Sequence, residues 1–270
     1  MQPFAAFDID GTLFRLALFT HVFEAMVTHG SVSPETLVKV RKAEALRRTR
    51  KTTYDEYMNT VIHALDHWLL QRHPKDLLET LAHESLAHRV EEVYVFTRSL
   101  LQSVQELTYA TLAVSYTPVE SARAFCTHWG FTHFDASIQE VCDEGRYTGK
   151  RQLRAKDETL REIIRTHGYD LEGSIGVGDT GSDIPMIAMT QFPVAFNPSA
   201  ELLRQVIALP HCLVVQERKN VCTIMGFEYG KQVPLNQEWR SPNGTPHLPD
   251  AVVPRLTAHI VEVDYTLLIL

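Results

Sequence analysis

Two aspartates lie two residues apart at the end of a short apolar segment near the start of the chain. Asp8 and Asp10 follow Pro3–Phe7 and precede Gly11 and Thr12. Residues i and i+2 of a strand point to the same face, so the two carboxylates are expected side by side. One could attack a phosphorus atom while the other transfers protons, as the formation and breakdown of an acyl phosphate require. The alternative is an aspartate-rich turn after a strand, with no catalytic role.

A second pair of aspartates follows a later apolar segment. Asp179 and Asp183 lie four residues apart within Gly176–Asp183. Carboxylates are hard oxygen ligands, and Mg²⁺ binds proteins through a few of them while it keeps several waters. The segment therefore suits Mg²⁺, although this spacing alone is more often a turn and a helix cap.

Together, the two segments resemble the first and fourth motifs of the haloacid dehalogenase superfamily. The resemblance implies two residues between them: a serine or threonine that ends a strand, and a lysine that begins a helix. Ser115 follows the apolar segment Leu112–Val114, and Lys156 precedes Asp179 by 23 residues, a spacing common in this family. Lys150, in a basic turn, is the alternative to Lys156.

The resemblance covers most of residues 4–220 and is closest to the phosphoserine phosphatase-like branch, subfamily IB. Members of that branch carry a helical cap between their first and second motifs. Three further segments match it, namely 143–149, 194–198 and 217–220. The resemblance implies a Mg²⁺-dependent phosphomonoester hydrolase that acts through an aspartyl-phosphate intermediate on a small phosphorylated metabolite.

The resemblance also implies catalytic roles. Asp8 is expected to be the nucleophile, and Asp10 to protonate the leaving alkoxide and then to take a proton from the attacking water. Ser115 is expected to donate a hydrogen bond to the phosphoryl group, and Lys156 to supply a fixed positive charge. These four residues are the predicted catalytic group.

The implied metal group is Asp8, Asp10, Asp179 and Asp183. Mg²⁺ is expected to be held by the carboxylates of Asp8 and Asp179 and by the backbone carbonyl of Asp10. Asp183 is expected to orient either Lys156 or a metal-bound water.

The specificity groups of phosphoserine phosphatases are missing. Those enzymes follow the serine of the second motif with two glycines, whereas this chain has Tyr116 and Thr117. They carry a glutamate where this chain has residues 16–18, and the arginine that binds the substrate carboxylate would fall near Val61. Ser182 stands where their fourth motif has asparagine. Phosphoserine is therefore not the expected substrate.

The elements that must position these residues alternate between strands and helices after about residue 110, which is typical of a parallel α/β sheet. Apolar residues at helical spacing between residues 15 and 88 predict a helical module inserted after the first strand. We expect a Rossmann-like parallel core formed by residues 1–14 and 89–230 and a helical cap formed by residues 15–88. The five prolines between residues 231 and 255 predict an irregular extension over 231–270.

Composition narrows the class of protein. The formal charge of −7 argues against a nucleic-acid partner, and 44% hydrophobic residues are ordinary for a soluble protein. The apolar segments are too short for a membrane span, and the first residues lack the pattern of a signal peptide. The four cysteines contain no C-x-x-C pair and read as thiols of a reducing compartment. A cytoplasmic protein with no membrane partner is expected, and its oligomeric state is left open.

Two alternatives to a hydrolase share the same motifs. A phosphotransferase would pass the phosphoryl group from Asp8 to an alcohol, and a non-catalytic binding protein would keep only the scaffold. In addition, the basic stretch Lys39–Lys51 either lines the cap face of the site and attracts anions or forms a solvated helix face.

Overall fold

The computed structural model describes residues 1–219, residues 221–233 and Val252. In this part of the chain, one sheet contains β1 (Pro3–Phe7), β2 (Ala110–Pro118), β3 (His133–Val141), β4 (Tyr147–Gln152), β5 (Asp170–Gly178), β6 (Phe192–Phe196), β7 (Cys212–Arg218), β8 (Val221–Glu228) and β9 (Lys231–Val233). Their order across the sheet is β4-β3-β2-β1-β5-β6-β7-β8-β9.

The centre of the sheet is parallel from β3 to β7. Antiparallel strands extend both edges, with β4 beside β3 and with β8 and β9 beyond β7. Along the central strand β1, Ala5 and Phe7 pack into one hydrophobic core, whereas Phe4 and Ala6 pack into another on the opposite face. Burial on both faces explains why the strand is a continuous apolar run. The predicted α/β class with a mostly parallel, Rossmann-like sheet is confirmed.

The helices of the described residues are α1 (Leu18–Thr28), α2 (Pro34–Arg48), α3 (Tyr54–Leu70), α4 (Lys75–Leu86), α5 (Val95–Glu106), α6 (Val119–His128), α7 (Lys156–His167), α8 (Ile184–Ile187) and α9 (Ala200–Val206). The first four fall within residues 15–88. The division into a core of residues 1–14 and 89–230 and a cap of residues 15–88 stays a prediction.

Local sequence explains where the helices of this region begin. Ser33 caps α2, because its side chain accepts a hydrogen bond from the backbone of Thr36 at 3.3 Å, and Pro34 occupies the first turn. Thr53 and Glu56 form a reciprocal capping box at the start of α3.

Two elements differ from the predictions. α5 was not predicted, although its buried residues Phe96, Leu100 and Val104 recur at helical spacing. The extension predicted to be irregular from residue 231 begins with β9, which pairs with β8 after a tight turn. The five prolines and the apolar stretch 260–270 lie outside the described residues.

A buried polar junction joins the α4 region, α6 and β4. The hydroxyl of Tyr147 on β4 donates to Oε1 of Glu120 on α6 at 2.9 Å, and it lies 3.3 Å from the carbonyl of Lys75 on α4. Oε2 of Glu120 has no partner among the described residues. Burial raises the pKa of Glu120 above its ordinary value, and hydrogen bonds from its own backbone and from Tyr147 oppose that shift.

We expect Glu120→Gln to gain stability relative to the wild type as the pH rises from about 5 to about 8. Folded wild-type protein holds the proton of Glu120 more tightly than the unfolded chain does. The contribution of this proton to wild-type stability is therefore complete below the ordinary pKa of 4.5 and is lost as the pH rises through the raised pKa of the folded state. The glutamine variant has no such proton to lose. Glutamine keeps an acceptor for Tyr147 and carries no charge. Urea denaturation of both proteins at each pH measures the effect, with the exposed Glu84→Gln as control. A pH-independent difference in the free energy of unfolding would contradict this account.

Candidate active site

The carboxyl ends of β1 and β5 place the two aspartate segments side by side. The two strands are parallel neighbours, with Phe7 opposite Val177, so Asp8 and Asp179 leave the sheet at the same edge. Because β2 lies on the other side of β1, chain order reverses between β1 and β5, which is where open α/β sheets bind ligands. Carboxylate oxygens of Asp8, Asp179 and Asp183 lie within 4.8 Å of one another.

The turn after β1 brings its backbone against Asp179. Gly11 has a φ of +86°, and a Cβ there would lie 2.3 Å from Oδ2 of Asp179, so only glycine fits without displacing that carboxylate. The hydroxyl of Thr12 lies 3.2 Å from Oδ2 of Asp8 and 3.1 Å from Oδ1 of Asp179. A single buried hydroxyl therefore connects the carboxylates that follow two different strands.

Lys156 is the first residue of α7 and is buried. Its Nζ donates to Oδ1 of Asp8 at 2.6 Å and to Oδ1 of Asp183 at 2.5 Å, and it lies 5.0 Å from the centre of the Tyr116 ring. Burial acts to lower the pKa of Lys156, but the carboxylates of Asp183 and Asp8 outweigh it and raise the pKa above its ordinary value. Lys156 is therefore charged. By contrast, the alternative Lys150 is 79% exposed and lies beside Glu140.

Asp183 is completely buried in a 3₁₀ turn, and both of its oxygens are engaged. Oδ1 binds Lys156, while Oδ2 accepts from the backbone amides of Asp179 at 3.0 Å and Thr180 at 2.9 Å. A Cβ at Gly178 would lie 2.4 Å from the Cβ of Asp183, so glycine lets the turn pack this closely. Asp183 thus fixes both the ammonium and the loop that bears Asp179.

The carboxylate of Asp10 lies apart from this group. Its Oδ1 accepts from the backbone amide of Leu18 at 2.9 Å, at the first residue of α1. Burial, followed by the charge of Asp8, raises the pKa of Asp10 to about 7. A carboxyl with this pKa can both give and take a proton near neutral pH.

The excess of negative charge in this group affects the pKa values of Asp8 and Asp179. Burial raises the pKa of Asp8, and Lys156 opposes that shift. Burial also raises the pKa of Asp179, and the neighbouring charges of Asp8 and Asp183 raise it further. Three carboxylates share one ammonium, so a bound cation would relieve their repulsion.

Ser115 lies where β2 leaves its regular pairing with β3. The register between these strands shifts between Val114 and Pro118, so the strand continues beyond its predicted end at Ser115. Oγ of Ser115 accepts from the backbone amide of Thr117 at 3.2 Å, which leaves the hydroxyl hydrogen free to donate. Ser115, Asp8, Asp10 and Lys156 all line one cavity of about 280 Å³.

The far wall of the cavity comes mostly from α3, and α1 adds Phe19. Its lining residues beyond the carboxylates, Ser115 and Lys156 are Phe19, Tyr54, Met58, Asn59, Ile62, Leu65, Tyr116, Thr117, Pro118, Ser137, Arg151, Thr180 and Ser182. Neither Tyr54 nor Arg151 is among the site residues predicted from the sequence. Arg151 could not be assigned from sequence, because the face of β4 that meets the cavity is set by pairing with β3.

The basic stretch Lys39–Lys51 contributes no residue to the lining of this cavity. Arg41 forms ion pairs with Glu24 and Glu44, and Arg48 forms one with Glu44. The interpretation of this stretch as a solvated helix face fits these contacts better than a role in the site.

A mostly parallel α/β sheet with an aspartate–lysine cluster at its switch point defines a class of hydrolases. The family model of haloacid dehalogenase-like hydrolases matches residues 5–188. The chain belongs to this family. This confirms the resemblance inferred from the motifs and, with it, the prediction of an enzyme of the phosphatase class.

Three proteins to which this chain is similar share between 18% and 26% sequence identity with it. A histidinol-phosphatase from Neisseria meningitidis is 26% identical over 231 residues, which cover 76% of this chain and 95% of the relative. A protein of unknown function from Bordetella pertussis superposes with a TM-score of 0.59 at 19% identity, over 76% of this chain and 94% of that one. An apo phosphoserine phosphatase structure superposes at 0.51 and 18% identity, over 76% and 90%. The two structures support the fold.

The structure also bears on the predictions about membrane spans and about the cysteines. Within the described ranges, no helix is both long enough and apolar enough to cross a bilayer. The four cysteines are free thiols, and Cys126, Cys212 and Cys222 are buried whereas Cys142 is half-buried.

We expect Asp183→Asn to lower the free energy of unfolding by about 2–4 kcal/mol. Asparagine has one acceptor oxygen, so its amide nitrogen must face either Lys156 or the amides of Asp179 and Thr180, all of which are donors. Asp157→Asn removes a carboxylate that is 23% exposed and pairs with the 62% exposed guanidinium of Arg161, and it should cost less than about 1 kcal/mol. Equal stabilities for the two variants in chemical denaturation would show that Asp183 does not organise the site.

Proposed function

We propose that this protein is a Mg²⁺-dependent phosphomonoester hydrolase that acts on a small phosphorylated metabolite through an aspartyl-phosphate intermediate. The observation that supports this most is the cluster at the floor of the cavity. There, Asp8 is held 2.6 Å from the ammonium of Lys156, and its oxygens lie within 4.8 Å of those of Asp179 and Asp183. The arrangement offers an anionic nucleophile in a place that must also accept a dianionic phosphate.

The residues fit a divalent cation. The carboxylates that face one another are hard oxygen donors, and the pKa of Asp179 is raised above its ordinary value by burial and by two like charges, as expected for a carboxylate that lacks a cation. We propose that the carboxylates of Asp8 and Asp179 and the backbone carbonyl of Asp10 hold Mg²⁺. Bound there, the metal would supply positive charge to the phosphoryl oxygens. Asp183 would position Lys156, since both of its oxygens are already engaged.

The protein residues divide the chemistry in two steps. In the first, an oxygen of Asp8 forms a bond to phosphorus while the bond to the leaving oxygen breaks, and Asp10 gives its proton to that oxygen. In the second, Asp10 takes a proton from water, the water oxygen binds phosphorus, and the bond to Asp8 breaks. Lys156 and the hydroxyl of Ser115 bind the phosphoryl oxygens throughout.

The cavity supports a substrate other than phosphoserine. Tyr116 lines it and covers Lys156, at a position where phosphoserine phosphatases are expected to have glycine. Val61, near the expected position of their carboxylate-binding arginine, is fully buried in the hydrophobic core. A small phosphorylated substrate is nevertheless consistent with the histidinol-phosphatase relative and with a volume of about 280 Å³.

We expect hydrolysis of p-nitrophenyl phosphate to stop after treatment with EDTA and to return when Mg²⁺ is added. The reason is that three buried carboxylates and a phosphate dianion cannot share one ammonium. Isothermal titration of the metal-free protein with Mg²⁺ gives a second readout, which Asp179→Asn should weaken at least tenfold. Full activity in the presence of the chelator would rule out the metal assignment.

A further assay separates a phosphotransferase from a hydrolase. It measures whether the phosphoryl group is transferred to added glycerol, as glycerol phosphate, or to water.

We expect Asp8→Asn to abolish turnover of every substrate, because an amide cannot act as the nucleophile. Asp10→Asn should lower kcat/KM, which reports only the first step, by roughly 10²–10⁴-fold for an alkyl phosphate, and less for p-nitrophenyl phosphate, whose leaving group needs no proton. The comparison of both substrates with both variants separates the two roles. A similar loss for both substrates in Asp10→Asn would argue against a general acid at this position.

A further inference from the structure

The half of the cavity remote from the phosphoryl-binding residues is largely apolar. Phe19 from α1, Met58, Ile62 and Leu65 from α3, and Pro118 at the end of β2 line it. Such a wall favours a carbon skeleton over a hydrated polar group, because removing apolar surface from water is favourable. The body of the substrate should therefore be apolar.

One charged side chain interrupts this wall. Arg151 on β4 lines the cavity, and its Nε lies 3.1 Å from Oδ1 of Asp66 on α3. The two side chains are 28% and 32% exposed, so the pair sits at the edge of the cavity rather than in bulk solvent. In the described chain, no acceptor binds the terminal Nη atoms of Arg151. Asp66 thus holds the guanidinium by one edge and leaves the other edge available.

The charges in the cavity favour one type of remote group. Apart from Asp8 and Asp10 at the phosphoryl end, the lining contains no carboxylate among the described side chains, and Asp66 is already paired with Arg151. A substrate ammonium would therefore enter without a partner, which is costly away from water. A carboxylate would meet the free edge of Arg151, whose two parallel N–H groups match its geometry.

We propose that the enzyme selects phosphomonoesters of small apolar alcohols that bear a carboxylate at the end remote from the phosphate, and that Arg151 determines this specificity. The inference rests on the proposed phosphatase function and narrows its substrate class. It also predicts discrimination against substrates with a remote amine, in contrast to what the names of the phosphoserine and histidinol phosphatase relatives imply for those proteins.

The test uses sets of primary alkyl phosphates, from three to six carbons, that differ only in a terminal methyl, carboxylate or ammonium group. All share the same type of leaving oxygen, so differences in kcat/KM report recognition rather than chemistry. For the best chain length, the wild type should prefer the carboxylate over the methyl compound by roughly 10- to 100-fold and should disfavour the ammonium compound. Arg151→Gln should bring the ratio of kcat/KM for the carboxylate compound to that for the methyl compound close to one.

Two variants serve as controls. Lys150→Gln removes the same charge from the adjacent residue of β4, which is 79% exposed, and should preserve the preference. Arg151→Lys keeps the charge without the planar fork and should retain part of the preference. Thermal unfolding of each variant checks that β4 still folds onto α3.

The outcomes separate this inference from the function on which it rests. Hydrolysis of the methyl compounds with no carboxylate preference at any length, or an equal loss on all three groups in Arg151→Gln, would overturn the inference and leave the phosphatase standing. If no compound is hydrolysed, the proposed function fails. In that case, calorimetry with the corresponding non-hydrolysable phosphonates still tests the role of Arg151. Tighter binding of the carboxylate phosphonate than of the methyl phosphonate would support the inference, and equal affinities for the two would overturn it.

Discussion

Three carboxylates and one ammonium are buried together at the carboxyl edge of the sheet, and the charges of this group do not balance. Lys156 binds Asp8 and Asp183, while Asp179 faces both carboxylates and, among the described residues, accepts a hydrogen bond only from the hydroxyl of Thr12. Buried like charges raise one another's pKa, so this group could hold a cation. In the proposed function, the missing positive charge would be supplied by the metal that accompanies the phosphate dianion.

The fold holds this unfavourable group together by geometry. Parallel pairing of β1 with β5 brings Asp8 and Asp179 to the same edge, and the absence of a Cβ at Gly11 lets the first turn approach Asp179. Asp183 uses four donors to fix Lys156 and the loop after β5. The opposite wall comes from different elements, namely α1, α3 and β4, which in the proposed function would select the substrate. Chemistry and recognition can therefore vary independently in this fold.

Local patterns predicted which residues lie together on the floor of the cavity, but they said little about its opposite wall. The segment around Asp8 was interpretable because strand, carboxylates, glycine and threonine are contiguous, and the resemblance placed Lys156 at the start of a helix, where α7 begins. Arg151 and Tyr54 gave no such signal, since their orientation depends on contacts between segments distant in sequence. α5 is a different case, because its apolar residues Phe96, Leu100 and Val104 recur at helical spacing and the sequence pattern could have predicted it.

The most direct test of the account is to trap the intermediate on Asp8. Borohydride reduces an acyl phosphate to an alcohol, so a phosphorylated aspartate becomes homoserine, which peptide mass spectrometry locates. The enzyme would be quenched in acid during turnover, reduced and digested. We predict homoserine at position 8 only when substrate and Mg²⁺ are present, with Asp10 unchanged. Homoserine at position 10, or none while a burst of released alcohol is observed, would contradict the assignment of Asp8 as the nucleophile.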